Sequence, residues 1–388
     1  MNKRICFITG SRSEYGLLRR LILASSNDPS INLQVIATGS HLSLSHGLTY
    51  KEIILDGIQI SSKVNLQLKG DSSQDIIHSM SIGLRKFSAS LTDLRPDLIV
   101  VLGDRYEIFV AATAAMILNI PIAHIHGGET TEGAYDEAIR HSVTKMSHLH
   151  FVAAKTYKDR VIQLGENPKS VFLVGGLGVD AIKNVKLLSK KKLESDINYR
   201  FGERNLLVTI HPETLVDTNV SMRQIKLFLS ALNTIKGIKF LFTLPNADTG
   251  NTFFITMIKK FCSKNPERAK AFTSLGQLKY LSALRYVDGV IGNSSSGLTE
   301  VPSFNIGTIN VGKRQAGRLR AKSVIDCEYD KNEIINAVHK IFSTSFQNSL
   351  TGAINPYGQQ GASKKILKII KNISLNNIIH KKFYDLYH

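Results

Sequence analysis

Residues 97–127, DLIVVLGDRYEIFVAATAAMILNIPIAHIHG, hold a short apolar run, a helix-length segment and a second apolar run, with titratable residues at the end of each run. Asp97–Gly103 and Pro121–Gly127 have strand length, and several such runs along the chain are apolar on both faces, as strands inside a parallel sheet are. Glu107–Leu118, between them, places apolar residues three and four apart, the spacing of a helix. A strand, a helix and a further strand of this kind make the unit of a parallel sheet wrapped by helices.

The same alternation extends in both directions. Ile5–Gly10, Leu33–Thr38, His148–Ala153 and Val171–Gly175 read as further strands, and Tyr15–Ala24, Gln74–Leu94, Asp136–Ser147 and Lys155–Leu164 as further helices. A polar, Lys-rich interval from Lys183 to Arg204 follows, and then the pattern restarts. Strands are expected at Leu206–Ile210, Phe240–Leu244, Gly289–Ile291 and Gly307–Val311. Helices are expected near Met222–Ile235, Phe253–Cys262, Leu278–Tyr286 and Lys331–Phe342. Ala362–Ile373 is a Lys/Ile amphipathic helix expected to pack back on the first domain, with a frayed tail from Ser374. The chain therefore reads as α/β, with two Rossmann-like doubly wound domains facing a cleft: residues 1–182 with 362–388, and residues 183–361. In such sheets ligands bind beyond the carboxyl ends of the strands.

Composition narrows the setting. The 388 residues are 43% hydrophobic and 21% charged, which excludes wholesale disorder. Cys6, Cys262 and Cys327 are too few and too scattered for a disulfide framework, so a reducing, cytoplasmic location is expected. The opening MNKRICFITG imitates a signal peptide, but Arg12 and Glu14 cut its apolar run to about six residues, below the length of a signal core. Phe109–Ile125, the most apolar window, is broken by Thr113, Asn119 and Pro121, so no membrane segment is expected. A formal charge of +18 attracts polyanions in general. No stretch interleaves the lysines with aromatic residues, so no nucleic-acid partner is expected.

At the strand ends, Thr9-Gly10-Ser11-Arg12-Ser13-Glu14-Tyr15-Gly16 is a small, polar turn that opens a helix and suits an anion, or is an ordinary connection. No Walker A or complete dinucleotide motif occurs. Asp104 and Arg105 follow Gly103, and Asp104 is either the cap of the next helix or a functional carboxylate. The densest group is His124-Ile125-His126-Gly127-Gly128-Glu129, followed by Asp136, Glu137, Arg140, His141 and Lys145. If the strand persists to His126, His124 and His126 share a face, suited to zinc or to hydrogen bonds within a turn. Asp136 and Arg140 lie one helical turn apart. In the second half His211 ends a strand, and Asn246 lies in a turn. Gly292-Asn293-Ser294-Ser295-Ser296-Gly297 opens a helix suited to a diphosphate, with Glu300 one turn on. Arg314, Arg318, Arg320 and Lys322 follow, either to balance a nucleotide's charge or as a solvated loop.

From Gly10-Ser11-Arg12 to Asn355-Pro356-Tyr357-Gly358 the chain resembles the hydrolysing UDP-N-acetylglucosamine 2-epimerases of bacterial sialic acid synthesis. Seven ordered blocks between those ends carry the resemblance: Leu102–Glu107, His124–Glu129, Ile139–Ser142, His211–Thr214, Asn246–Gly250, Gly292–Gly297 and Arg314–Arg318. It implies a GT-B-like fold with UDP held mainly by the second domain, Asp104, Glu129, Asp136, His211 and His126 as the catalytic group, and no metal or cofactor. Arg12, Ser294, Ser295 and Arg314 are the implied diphosphate and nucleotide contacts, with Glu300 on the ribose, and Arg105, Arg140 and Asn246, within the matched blocks, are expected to join them in binding the substrate. Many relatives have Glu where this chain has His126, and the His form resembles the bacterial subgroup making N-acetylmannosamine or its 4-acetamido analogue. The implied substrate is UDP-N-acetylglucosamine or UDP-N,N'-diacetylbacillosamine; a homodimer or homotetramer is expected because symmetric oligomers are common in general. A GT-B glycosyltransferase or a UDP-sugar sensor are the rival readings.

Overall fold

The computed structural model describes residues 2–70, 72–132, 134–182, 185–213, 215–245, 250–358 and 361–386. The chain divides into two compact units. Unit 1 comprises Met1–Glu129, Asp136–Ala181 and Tyr357–His388, and unit 2 comprises Thr130–Tyr135 and Ile182–Pro356.

Unit 1 is built on β1 (Lys3–Thr9), β2 (Ile31–Thr38), β3 (Ser62–Val64), β4 (Leu98–Leu102), β5 (Ile122–Ile125), β6 (Leu149–Val152) and β7 (Val171–Leu173). These strands pair in the order β3-β2-β1-β4-β5-β6-β7, all parallel. Strand β4 is buried at every residue, because helices cover both faces of the sheet. Helix Tyr106–Ile117 is apolar nearly all round and packs against helices Ser73–Leu94 and Asp136–Met146. Helix Ala362–Asn372 inserts Ala362, Ile366 and Ile370 into the core that holds Leu18, Leu21 and Ile22 of helix Arg12–Ser26.

Unit 2 holds β8 (Arg204–Thr209), β9 (Ile238–Thr243), β10 (Ala269–Phe272), β11 (Gly289–Gly292), β12 (Gly307–Val311) and β13 (Val324–Cys327). Their order is β10-β9-β8-β11-β12-β13, again parallel. Both sheets thus show the doubly wound pattern, with strand order reversing beside the unit's first strand. The sequence pattern misses the edge or outer strands β3, β10 and β13, which are three or four residues long and only partly buried. Among the described residues no helix is long and apolar enough to cross a membrane.

The tail differs from the frayed end expected of it. Lys381 Nζ donates to both carboxylate oxygens of Glu166 at 2.9 Å, and the Tyr384 N–H donates to the Gly165 carbonyl at 2.9 Å. Phe383 covers Gly165, where a Cβ would strike its ring. A buried carboxylate that needs counter-charge holds this polar segment in place.

Candidate active site

In unit 1 the reversal of strand order lies between β1 and β4, so the crevice beyond Thr9 and Leu102 is the expected ligand position. Gly103 follows β4 with φ +79°, and the N-cap of the next helix is Arg105, which makes no side-chain capping bond. Asp104 is therefore not the helix cap. Its Oδ2 accepts a hydrogen bond from Nη2 of Arg140, a side chain only 1% exposed. Arg140 Nη1 donates to Glu137 Oε2 and to the Glu129 carbonyl, both at 2.9 Å. One guanidinium thus ties the end of β4, the loop after β5 and its own helix together. Glu137 also meets His141 Nε2 at 3.1 Å, and half-buried Asp136 occupies the first turn of the same helix.

The loop after β5 departs from expectation. The strand stops at Ile125, and His126 takes the left-handed conformation with φ +66°. The two-residue alternation ends there, so strand geometry does not put His124 and His126 on a shared face. His124 is fully buried, with Nε2 2.8 Å from the Gly103 carbonyl and Nδ1 3.2 Å from Thr144 Oγ1. Burial pushes its pKa down to about 3. Of the two readings of the histidine pair, the hydrogen-bonded turn describes His124. His126 Nε2 accepts from the Leu177 N–H at 3.3 Å, which leaves the ring proton on Nδ1, 3.4 Å from Glu129 Oε1. Among the described residues no group of three or more His, Cys, Asp or Glu comes together as a metal cluster.

On the β1 side, Arg12 opens its helix and its guanidinium pairs with Glu52. Arg105 Nε donates to Glu107 Oε1 at 2.7 Å. Glu107 is completely buried and occupies the space that Gly10 leaves, where a Cβ would come within 2.5 Å of Glu107 Cγ. Glu14 accepts from the N–H groups of Gly10 and Ser11 at 2.6 and 3.1 Å. Burial and the charge of Glu107 raise the Glu14 pKa. The sequence reading passed over this buried carboxylate pair, although Ser11 and Glu14 have capping-box spacing.

In unit 2 the reversal lies between β8 and β11. His211 follows β8 and is 6% exposed; Asn293 follows β11 and is fully buried. Ser294 and Ser295 are half-buried in the turn after β11. The helix they open, Ser296–Thr299, is only one turn long, so Glu300 sits at its end rather than within it. Glu300 Oε2 accepts from Ser296 Oγ, which also lies 2.6 Å from the Tyr280 hydroxyl, and burial raises the Glu300 pKa. Arg314 Nη1 donates to the Asn293 carbonyl at 3.3 Å. Buried Glu213 accepts from the N–H groups of Lys313 and Arg314 at 3.0 and 3.3 Å. Of the other basic residues, Arg318 donates to the Thr130 carbonyl at 2.8 Å, Arg320 pairs with Asp326 at 2.7 Å, and Lys322 is exposed. Asn246, with Thr214 of the His211 block, lies outside the described residues.

Two Rossmann-like sheets, each with polar and charged groups gathered where its strand order reverses, define a protein of the GT-B-like class. The sequence profile of UDP-N-acetylglucosamine 2-epimerase matches residues 23–371, and the chain belongs to that family of enzymes. The chain is 42% identical over 388 residues, with 100% of both chains covered, to the GDP/UDP-N,N'-diacetylbacillosamine 2-epimerase (hydrolyzing) of Campylobacter jejuni. It is 41% identical over 389 residues, covering 99% of this chain and 98% of the other, to polysialic acid biosynthesis protein P7 of Escherichia coli. In fold it is similar to the UDP complex of S. aureus MnaA, with a TM-score of 0.80, 19% identity and coverage of 99% and 100%. It is also similar to the UDP-GlcNAc complex of the Neisseria meningitidis 2-epimerase, with a TM-score of 0.79, 19% identity and coverage of 95% and 99%. The resemblance to the hydrolysing 2-epimerases seen in the motifs is borne out.

Proposed function

We propose that this enzyme converts UDP-N-acetylglucosamine and water to UDP and N-acetylmannosamine, the opening step of sialic acid synthesis. The observation that carries the reading is the Asp104–Arg140–Glu129 constellation at the strand-order reversal of unit 1. Arg140 holds the Asp104 carboxylate at the position where this architecture takes a ligand, and fixes the loop that carries Glu129 through the Glu129 carbonyl.

The chemistry follows from the substrate. The proton on C2 has no carbonyl beside it and is not acidic, so its removal requires departure of UDP from C1. A carboxylate takes H2, the C–H electron pair becomes the C1=C2 bond, and the C1–O pair leaves with UDP. Water then adds to the 2-acetamidoglucal, hydroxyl to C1 and a proton to the opposite face of C2. Asp104 or Asp136 is assigned as the base, with His126, Glu129 and His211 returning or orienting protons, each such transfer being worth about 10²–10⁴-fold. Arg140 holds the Asp104 carboxylate in place. Arg12, Arg105, Ser294, Ser295 and Arg314 are assigned to the diphosphate and nucleotide, where positive charge stabilises the leaving group, and Glu300 to the ribose. Asn246 is kept as a substrate contact on the resemblance alone.

A second substrate is favoured by a specific observation. Relatives 42% and 30% identical, from Campylobacter jejuni and Legionella pneumophila, are named as 2-epimerases of N,N'-diacetylbacillosamine nucleotides. Proton NMR in D2O, with chelator and no acceptor, tests both UDP-sugars side by side. Release of UDP with N-acetylmannosamine deuterated at C2 supports the first substrate, and turnover of the diacetyl sugar alone assigns the second. Product that retains UDP, or silence with both sugars, refutes the proposal.

A further inference from the structure

Asn293 is fully buried, yet its side chain uses both faces of its amide on one neighbour. Oδ1 accepts from the His211 N–H at 2.7 Å, and Nδ2 donates to the His211 carbonyl at 2.9 Å. The second Nδ2 hydrogen points to the Tyr329 hydroxyl at 3.3 Å. Each hydrogen on the amide therefore has a partner within unit 2, and none remains for a ligand.

The position explains why an amide is needed. Strands β8 and β11 pair in parallel as far as Gly292 opposite Thr209, and the Asn293 N–H donates to the Thr209 carbonyl at 3.1 Å. Beyond that point the main-chain ladder between the two strands stops. The side chain of Asn293 extends it by one residue, offering His211 the acceptor and donor that a neighbouring strand would offer. Gly292 permits the approach: it has φ +143°, and a Cβ there would collide with the Thr209 carbonyl. The main-chain carbonyl of Asn293 points elsewhere, accepting from Arg314 Nη1 at 3.3 Å and from Gln315 Nε2 at 2.8 Å.

We propose that Asn293 is a positioning residue that fixes the backbone of His211, and through it the imidazole, for proton transfer. This rests on the assignment of His211 to the catalytic group. The division of labour within Asn293 gives the proposal its test. The contact to Arg314 uses main-chain atoms that substitution retains, whereas the contact to His211 uses side-chain atoms that substitution removes.

Asn293→Ala is expected to lower kcat about 100-fold, while the dissociation constant for UDP, measured by calorimetry, changes less than about threefold. Asn293→Asp keeps the acceptor but loses the donor until its carboxyl is protonated. Its kcat relative to wild type should therefore rise as the pH falls from about 8 to about 6, which Asn293→Ala should not show. In a His211→Ala background, replacing Asn293 should cost little more. Loss of UDP affinity in step with kcat, or full additivity with His211→Ala, overturns the proposal. His211→Ala with wild-type turnover refutes instead the assignment of His211 on which it rests. An impaired His211→Ala beside an unimpaired Asn293→Ala refutes the positioning role alone. Should Asn293→Ala not fold, the pH dependence of Asn293→Asp decides: a flat ratio to wild type refutes the role.

Discussion

Replacing Glu166 by Gln isolates the charge that holds the C-terminal tail on unit 1. The Glu166 side chain is 3% exposed and meets Lys145 Nζ at 2.6 Å, Lys381 Nζ at 2.9 Å and His150 Nε2 at 3.0 Å. Burial alone would raise its pKa, but His150 and the two lysines outweigh that and hold it at about 2, against an ordinary 4.5. At 1.36 kcal/mol for each pH unit, the gap of roughly 2.5 corresponds to about 3 kcal/mol of stability at neutral pH. Because the folded value is depressed, this stabilisation is present above pH 4.5 and is lost as the pH falls through about 2. The same linkage leaves about 1.5 kcal/mol at pH 3. Glu166→Gln should therefore be destabilised by about 3 kcal/mol at neutral pH and by about half that near pH 3. The chain has 0 Trp, so urea unfolding is best followed by far-UV circular dichroism. A loss equal at both pH values, or one below about 1 kcal/mol at neutral pH, would refute the electrostatic account and leave only packing.

Two other substitutions test the groups at the end of β1 and β4. Asp104→Asn keeps an oxygen for Arg140 but removes the charge, so steady-state turnover should fall about 10²–10⁴-fold while UDP affinity stays within about threefold; turnover near wild type would strike Asp104 from the list of bases. Glu14 has a folded pKa raised to about 8 by burial and by Glu107, so its contribution is present below about 4.5 and is lost as the pH rises through 8. Glu14→Gln stays neutral and keeps an acceptor for the Gly10 and Ser11 N–H groups. Its melting temperature should be flatter than that of wild type between about pH 5 and 8, and parallel profiles would remove Glu14 as the titrating group.

The fold was legible where burial is strongest. Strand β4 is apolar on both faces and β12 is buried at every residue, and both read directly, as do long amphipathic helices such as Ser73–Leu94. Strands β3, β10 and β13 were missed because edge or short strands bury one face or less, which leaves no long apolar run. The candidate site was legible as residue types at strand ends, which is how Asp104 and His211 were found, and as helical spacing, which paired Arg140 with Asp136. The partnerships were not. Glu107 beneath Gly10, and Asn293 beside His211, join residues 97 and 82 positions apart, and no local period records such pairs. The tail was misread for the same reason: Lys381 looks solvated until Glu166, 215 residues earlier, is placed beside it.

The positions where the pattern fails are themselves informative. A strand read by its two-residue period runs on until some residue leaves the extended conformation, and here Gly103, His126 and Gly292 do so, with φ of +79°, +66° and +143°. At Gly103 and Gly292 the missing side chain removes the steric obstacle to such a turn. His126 has no such relief, and a non-glycine residue there carries strain of about 1 kcal/mol or more. What retains it is visible on both ring nitrogens: the Leu177 N–H on one side and the Glu129 carboxylate on the other. In this conformation the imidazole lies beside Glu129, with Nδ1 3.4 Å from its Oε1. A residue held against its backbone preference by two specific polar contacts is better explained by its chemistry than by packing, which is why His126 stays in the proposed catalytic group although the strand that was to carry it ends one residue earlier.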